Sequence, residues 1–212
     1  MKFSFRSAVF MFLVTLFFTG LVSGVRILSE RRIRSNRDIK RQRIVLRVLG
    51  ISPPKGAEDR DITALYQSRV REIRVQGRSI YEGLEPDGAT AMGYAFPVGG
   101  PGFWGPISGI AAVDPDVTRL LGLAFISHSE TPGLGGRISE DGFTDQFRGL
   151  PLSPGEAAGR FIDLEPPGEG AGPPGSLDAI TGATNTSAAV EAFLNRDLYR
   201  FLRDTAPELR RD

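Results

Sequence analysis

The sequence contains no cysteine and only one histidine, His128. The lack of cysteine excludes disulfide bonds, iron–sulfur clusters, thiolate metal sites and cysteine nucleophiles. A single imidazole cannot supply the ligands of a histidine-rich metal site or of a bis-histidine haem. The sequence also lacks a G-x-S-x-G motif, which would indicate a serine hydrolase. We therefore expect no metal site, and any redox chemistry would require an organic cofactor.

An excess of one sign of charge is also absent. The chain has 26 Lys and Arg residues against 25 Asp and Glu residues, with a formal net charge of +1. Nucleic-acid-binding domains are usually strongly basic, so the composition gives no support for a nucleic-acid partner. At 212 residues, the chain is long enough for one domain with a sizeable core.

One long uncharged segment lies near the N-terminus. SAVFMFLVTLFFTGLVSGV, residues 7–25, has no charge for 19 residues between Arg6 and Arg26. As a helix it would span roughly 30 Å, the thickness of the bilayer hydrocarbon core. A secretory signal peptide is the competing interpretation, but its apolar core usually has about 7–15 residues, and LVSGV is a poor cleavage site. We predict a retained, single-pass transmembrane helix over residues 7–28.

The basic residues around this segment bear on its orientation. By the positive-inside rule, they place the C-terminal side of the span in the cytoplasm. The rule is weaker for long domains, which are exported largely regardless of their charge. The residues concerned are Lys2 and Arg6 before the span, and Arg26, Arg31, Arg32, Arg34, Arg37, Lys40, Arg41 and Arg43 after it.

The rest of the chain is typical of an α+β domain. Residues 29–52 are predicted to form a charged juxtamembrane helix that Pro53 and Pro54 end, and residues 53–205 the folded domain. After a short helix, EIRVQGRSIY and GATAMGYAFPV are each predicted to be a strand, and PISGIAAVDPD with RLLGLAFISHS a hairpin. A short helix over EDGFTDQFRGL, a Pro- and Gly-rich loop at 166–175 and an amphipathic final helix follow.

Two glycine-rich segments lie in the middle of this domain. GPGFWG matches G-x-G-x-x-G, but a β-like run follows it instead of a helix, so it is interpreted as a turn and not as a dinucleotide-binding loop. HSETPGLGG follows a strand, and its three glycines would let the backbone approach a flat ligand closely. Glu130 and Thr131 offer hydrogen bonds to such a ligand, and Leu134 offers an apolar contact. A purely structural loop is the alternative.

The segment DAITGATNTS immediately precedes the predicted final helix. The hydroxyls of Thr184, Thr186 and Ser187 are candidate N-caps, but a helix needs only one. A helix N-terminus is also an anion site, and the small residues Gly182 and Ala183 leave space beside Thr184. The residues therefore indicate a phosphate group at this position, with helix capping alone as the alternative.

The sequence D-x-x-[ST]-G-A-T at residues 178–184 resembles the flavinylation motif of the FMN-binding domains. These domains occur in the C subunit of the Na⁺-translocating NADH:quinone oxidoreductase and in the G subunit of the Rnf electron-transport complex. HSETPGLGG is similar to the second hallmark of this family, a loop at the isoalloxazine ring. RDIKRQRIVLRVLGI and GFWGPISGIAAVD also resemble the quinone-reductase subunit, so the similarity covers nearly the whole chain. Ala179 stands where the family usually has glycine.

The resemblance implies that FMN is joined through its phosphate to the hydroxyl of Thr184, and that a flavin transferase installs it. It implies no catalytic acid or base and no independent turnover, because the protein only holds and tunes the flavin. The loop at 130–135 would cover one face of the ring, and Asp178 and Thr181 would order the turn. The implied cofactor-binding residues are Glu130, Thr131, Gly133, Leu134, Gly135, Asp178, Thr181, Gly182 and Ala183.

The resemblance also implies a place in the cell. The protein would cross the inner (plasma) membrane once and carry an extracytoplasmic FMN-binding domain with an antiparallel sheet and flanking helices, against the charge rule. Its partners would be the membrane subunits of a redox complex, a flavin transferase and the lipid bilayer. Two alternatives are a free-standing flavinylated electron carrier outside the cytoplasm, and a non-redox, membrane-anchored structural protein in which Thr184 only caps a helix.

Overall fold

The computed structural model describes residues 5–152, 160–168 and 176–209, with the backbone alone for residues 27–35. The chain divides into two compact units, Met1–Lys40 and Arg41–Asp212. The predicted loop at 166–175 lies outside the described residues from residue 169 onward.

The described part of the first unit is helical. Helix α1 comprises Phe5–Val48. It contains the predicted transmembrane helix, 7–28, and the first part of the predicted juxtamembrane helix, 29–52, but it ends at Val48, before the predicted end. Its segment Phe5–Arg26 is long and apolar enough to cross a membrane, by length and composition. The large apolar side chains of this segment are exposed in the structure, from Phe5 to Val25.

The second unit contains a five-stranded antiparallel sheet in which each strand pairs with the next one along the chain. Its strands are β1 (Val70–Val75), β2 (Arg78–Leu84), β3 (Ala91–Pro101), β4 (Pro106–Val113) and β5 (Leu120–Ser127). The predicted α+β class with an antiparallel sheet is confirmed, and so is the β4–β5 hairpin. Strand β3 extends beyond Pro97, where the sequence predicted its end.

The sheet differs from the prediction at its first two strands. EIRVQGRSIY was predicted to be one strand, but it folds into parts of β1 and β2, which pair antiparallel from Val75 opposite Arg78. Gln76 and Gly77 form the two-residue turn with φ of 49° and 78°. Positive φ at both positions is the geometry of a type I′ turn, which matches the twist of the paired strands.

Both faces of the sheet are covered, which explains why its central strands are apolar at nearly every position. On β4, Ile110 and Ala112 belong to one core, and Ala111 and Val113 belong to the other, as the two-residue period of a strand requires. The first core is completed by residues at the end of α1, by the residue that follows it and by residues of helix α2 (Asp59–Arg69), namely Val45, Leu46, Val48, Leu49, Ile62 and Tyr66.

The second core lies beneath the predicted final helix, α4 (Thr184–Arg200). Its residues Val190, Phe193, Leu194 and Leu198 follow helical spacing and are at most 1% exposed. Burial of each stabilises the fold by about 1.5–3 kcal/mol relative to exposure. The ring of Phe201, just beyond α4, stacks on the ring of Phe96 in β3 at a centroid distance of 3.9 Å.

The remaining elements are short. A 3₁₀ turn (Gly135–Ser139) leads into α3 (Asp141–Thr144) and a second 3₁₀ turn (Asp145–Phe147), where a short helix was predicted. Strands β6 (Asp163–Glu165) and β7 (Ser176–Asp178) pair in parallel, and a π-helical turn (Phe201–Thr205) and α5 (Ala206–Leu209) follow α4.

Candidate functional site

A cavity of about 340 Å³ lies where three segments of the second unit meet. The segments are the β3–β4 turn, the loop after β5, and the turn that leads into α4. They are far apart in the sequence and are brought together because β3, β4 and α4 pack around the second core. The lining residues are Phe103, Trp104, Glu130, Thr131, Leu134, Gly135, Gly182, Ala183, Thr184, Asn185 and Thr186.

Glu130 joins the three segments through its carboxylate, which is almost fully buried at 5% exposure. The hydroxyl of Thr186 donates a hydrogen bond to Oε2 at 2.6 Å. The main-chain N–H of Trp104 donates to Oε1 at 3.1 Å. Both carboxylate oxygens therefore accept hydrogen bonds from the protein, as a buried carboxylate requires.

The three hydroxyls at the start of α4 have different surroundings. Thr184 is exposed, whereas Thr186 is 3% exposed and hydrogen-bonded to Glu130. Ser187 is also buried, and its Oγ accepts the N–H of Ile180 at 3.1 Å. Thr184 is therefore the one residue of these three that is exposed, and it lines the cavity.

The idea that one of these hydroxyls caps α4 is wrong. The N-cap position is Ala183, which has no side-chain acceptor, and no side-chain cap is formed there. Thr186 donates to Glu130 of another segment, Ser187 accepts the N–H of Ile180 in the turn before α4, and Thr184 lies inside the first turn. The helix therefore begins with N–H groups that no capping side chain satisfies, which leaves an electropositive end at the cavity.

The turn before α4 requires glycine at position 182. Gly182 has φ of +76°, which side chains other than glycine rarely adopt. The N–H of Ala183 donates to the carbonyl of Ile180 at 3.0 Å and closes the turn. This geometry places Gly182 and Ala183 in the cavity wall beside Thr184.

The β3–β4 turn brings two aromatic side chains to the cavity that the sequence did not single out. Phe103 is 52% exposed and Trp104 is 66% exposed, and their ring centroids are 5.0 Å apart in an edge-on arrangement. GPGFWG was interpreted only as a turn, which it is: the N–H of Gly102 donates to the carbonyl of Gly105 at 2.8 Å. The sequence shows two large aromatics in a predicted turn, but it does not show which cavity this turn reaches.

The structure separates the predicted cofactor-binding residues into three groups. Seven predicted positions, including the attachment residue, line the main cavity: Glu130, Thr131, Leu134, Gly135, Gly182, Ala183 and Thr184. Asp178 and Thr181 line a second cavity of about 250 Å³ instead. Gly133 is among the lining residues of neither cavity.

The side chain of Asp178 is exposed, and its main chain is hydrogen-bonded to the side chain of Gln146. Its N–H donates to Oε1 of Gln146 at 2.8 Å, and its carbonyl accepts from Nε2 of Gln146 at 3.3 Å. Within the described residues, no group of three or more His, Cys, Asp or Glu side chains is placed to hold a metal ion.

Comparison with known proteins identifies the region that contains this cavity. Residues 102–198 match the sequence model of the FMN-binding domain. These residues belong to the FMN-binding domain family. The predicted family is thereby confirmed, and the FMN-binding domain contains all three segments of the main cavity.

Similar curated proteins are C subunits of the Na⁺-translocating NADH-quinone reductase. The protein of Yersinia pestis is 32% identical over 111 residues, which cover 51% of this chain and 41% of that protein. The protein of Chlamydia muridarum is 37% identical over 114 residues, covering 47% and 36%. These two alignments thus span less than half of the relatives, whereas that with the Pseudomonas aeruginosa protein, 23% identical, covers 90% of this chain and 89% of the relative.

Two solved structures share the fold. The crystal structure of NqrC from Shewanella oneidensis superposes with a TM-score of 0.70 at 19% identity, covering 83% of this chain and 98% of that chain. The crystal structure of the corresponding Na⁺-translocating NADH-quinone reductase protein from Parabacteroides distasonis superposes with a TM-score of 0.68 at 22% identity, covering 80% and 93%.

The residues of the cavity fit FMN. A phosphate suits the uncapped N-terminus of the 17-residue helix α4, because its free N–H groups and the helix dipole attract anions. The flat apolar isoalloxazine ring suits the exposed side chains of Phe103, Trp104 and Leu134, since aromatic and aliphatic groups shield such a ring from water.

Proposed function

We propose that this protein is a membrane-anchored electron carrier with FMN covalently attached to Thr184, and that it works as a subunit of a membrane NADH:quinone oxidoreductase. The observation that carries the proposal is that Thr184 is exposed and lines the cavity. The neighbouring hydroxyls of Thr186 and Ser187 are already engaged in hydrogen bonds with the protein. The similarity to C subunits of the Na⁺-translocating NADH-quinone reductase supports the role in a complex.

The attachment is a phosphoryl-group transfer. A bond forms between Oγ1 of Thr184 and the phosphorus of FMN, and the hydroxyl loses its proton. Direct condensation of FMN with an alcohol would release water and is unfavourable in water. We therefore propose that a flavin transferase uses a flavin dinucleotide, whose phosphoanhydride bond breaks and whose nucleoside monophosphate leaves.

The chain's own residues would bind and shield the cofactor. FMN supplies the redox chemistry when it is bound, and electron relay needs no general acid or base from the protein. The first turn of α4 would hold the phosphate, with Gly182 and Ala183 giving it room. Leu134, Thr131 and the aromatic pair of the β3–β4 turn would lie against the ring and exclude water, while Asp178 and Thr181 would support the turn.

We propose that the FMN-binding domain lies outside the cytoplasm, anchored by Phe5–Arg26 in the inner membrane. The basic residues after the span favour the reverse, but roughly 185 residues follow it, and domains of that size are exported largely regardless of charge. A covalent bond also suits this location, because FMN lost outside the cytoplasm could not easily be recaptured. A reporter active only outside the cytoplasm, fused after Asp212, is expected to be active, and activity of a cytoplasm-only reporter there would overturn this placement.

Intact mass spectrometry tests the attachment. The wild-type chain from its native host is expected to carry one FMN that survives denaturation and makes the gel band fluoresce. Thr184→Ala removes the acceptor oxygen and should abolish the label, whereas Thr184→Ser keeps an oxygen without the methyl group that restricts its rotamer, so it should be labelled in part. Thr186→Val removes the neighbouring hydroxyl and should still be labelled on long incubation. Loss of the label in Thr186→Val alone would refute Thr184 as the site.

Co-purification separates a component of a complex from a free-standing carrier. Membrane subunits of a redox complex that co-purify with the chain would support the proposed role. A flavinylated chain that purifies alone under mild detergent would favour the free-standing carrier. The mass of the mature chain also shows whether the N-terminal segment is retained as an anchor or removed as a signal peptide.

A further inference from the structure

Glu130 lies in the cavity wall, and both oxygens of its carboxylate accept hydrogen bonds from the protein. One oxygen accepts the Thr186 hydroxyl from the first turn of α4, and the other accepts the N–H of Trp104 from the aromatic turn, residues 102–105. The side chain is 5% exposed. The two segments that would hold the phosphate and the ring are thus tied to one buried group.

Two glycines make room for this group. A Cβ added to Gly102 would lie 2.5 Å from Oε1 of Glu130, and a Cβ added to Gly135 would lie 3.0 Å from Oε2 and 2.5 Å from Oγ1 of Thr186. Carbon and oxygen do not approach so closely without a displacement of one of them. Each carboxylate oxygen therefore occupies a space that a larger residue would close.

The contact with Glu130 joins two segments that are far apart in the sequence. The first turn of α4 has no side-chain cap, and uncapped helix ends fray because their first N–H groups lack intrahelical partners. The aromatic turn carries Phe103 and Trp104, which are more than half exposed, so packing contributes little to its position. The bonds to Glu130 are side-chain contacts that tie each of these segments to the same buried carboxylate.

We infer that Glu130 is a positioning residue: its carboxylate fixes the aromatic turn against the first turn of α4, so that the FMN site is formed before the cofactor is attached. The inference rests on the proposed function, since it assigns Glu130 a role in that site. Glu130 acts through Thr186 and Trp104, and the reacting hydroxyl is that of Thr184.

Fluorescence of the unloaded chain tests the positioning directly. Trp104 is the only tryptophan, so the emission of the full-length protein in detergent reports on the aromatic turn. Glu130→Ala removes both bonds and should raise the amplitude of fast Trp104 motion in anisotropy decay at least twofold. Glu130→Gln should stay at the wild-type value, because its amide oxygen accepts from the N–H of Trp104 and its NH₂ group donates to the hydroxyl of Thr186.

The rate of FMN attachment is the second measurement. With flavin transferase and flavin dinucleotide supplied, Glu130→Ala and Thr186→Val are expected to be labelled at least tenfold more slowly than wild type, and Glu130→Gln within about twofold of it. Thr205→Val is the matched control, because the hydroxyl of Thr205 is equally buried but has no hydrogen-bond partner. It should be labelled at the wild-type rate.

The outcomes separate the inference from the proposed function. Wild-type anisotropy and attachment rate in Glu130→Ala would overturn the inference, and so would equal slowing in Thr186→Val and Thr205→Val. If Glu130→Ala does not fold, the comparison of Thr186→Val with Thr205→Val decides. A wild-type chain that is never labelled would refute the proposed function, while the Trp104 measurement would still test the contact of the aromatic turn with Glu130.

Discussion

Replacement of Gly135 by alanine is expected to destabilise the domain through a single methyl group. Gly135 begins the 3₁₀ turn after the cavity loop and is buried. The new Cβ would lie 2.5 Å from Oγ1 of Thr186 and 3.0 Å from Oε2 of Glu130. One of these groups must move, and the hydrogen bond of 2.6 Å between them would be stretched or broken.

The size of the effect follows from three contributions. Overpacking of a close-packed site costs about 1–3 kcal/mol. Loss of a hydrogen bond to a charged group costs about 1.5–3 kcal/mol. The lower conformational entropy of alanine in the unfolded chain returns about 0.4–1 kcal/mol. The free energy of unfolding should therefore fall by about 1.5–5.5 kcal/mol.

Urea unfolding of the unloaded chain in detergent, followed by circular dichroism, measures this change. Gly142→Ala is the matched control: Gly142 lies in α3, a Cβ there would meet nothing within 4 Å, and its φ is not in the positive range. This control should be as stable as wild type or slightly more stable. Equal stability of Gly135→Ala and wild type would refute the close packing around Glu130.

Three further changes test other parts of the fold and site. Asp114→Ala should lower the free energy of unfolding by about 1–2 kcal/mol at pH 7. Partial burial raises the pKa of Asp114, but hydrogen bonds from Thr118 and Arg119 lower it more, so its pKa in the folded state lies below the usual value. The stability that the Asp114 carboxylate contributes should therefore be lost as the pH falls through this lowered pKa. Phe201→Ala should cost about 3–5 kcal/mol in urea unfolding, because its ring is 1% exposed and stacked. Trp104→Ala should leave the covalent label intact but increase quenching of the flavin fluorescence by iodide, and unchanged quenching would remove Trp104 from the ring site.

The sequence predicted those elements whose signals are local. The apolar spacing of Val190, Phe193 and Leu194 identified α4, and the Asp-Pro turn between two apolar runs identified the β4–β5 hairpin. The β1–β2 hairpin was missed because its I′ turn uses Gln76 before Gly77, where Asn or Asp is the usual signal. A run without that signal is indistinguishable from one longer strand.

Only part of the site was predicted, because only local patterns can be recognised in the sequence. The motif at 178–184 and the loop at 130–135 are each continuous in the sequence, so their residues could be named. The contribution of Phe103 and Trp104 depends on which turn the fold brings to the cavity, and no local pattern contains that information. The roles of Thr186 and Ser187 were also out of reach, since candidate caps and tertiary hydrogen-bond partners are the same residue types.

Site-resolved mass spectrometry of the flavinylated chain tests the central claim most directly. Between Arg160 and Arg196 the sequence contains no other Lys or Arg, so trypsin releases one peptide that contains all the candidate hydroxyls. Fragment ions of this peptide are predicted to place the FMN phosphoester on Thr184. An FMN located on Thr181, Thr186 or Ser187, or a peptide without any FMN from the native host, would contradict the account.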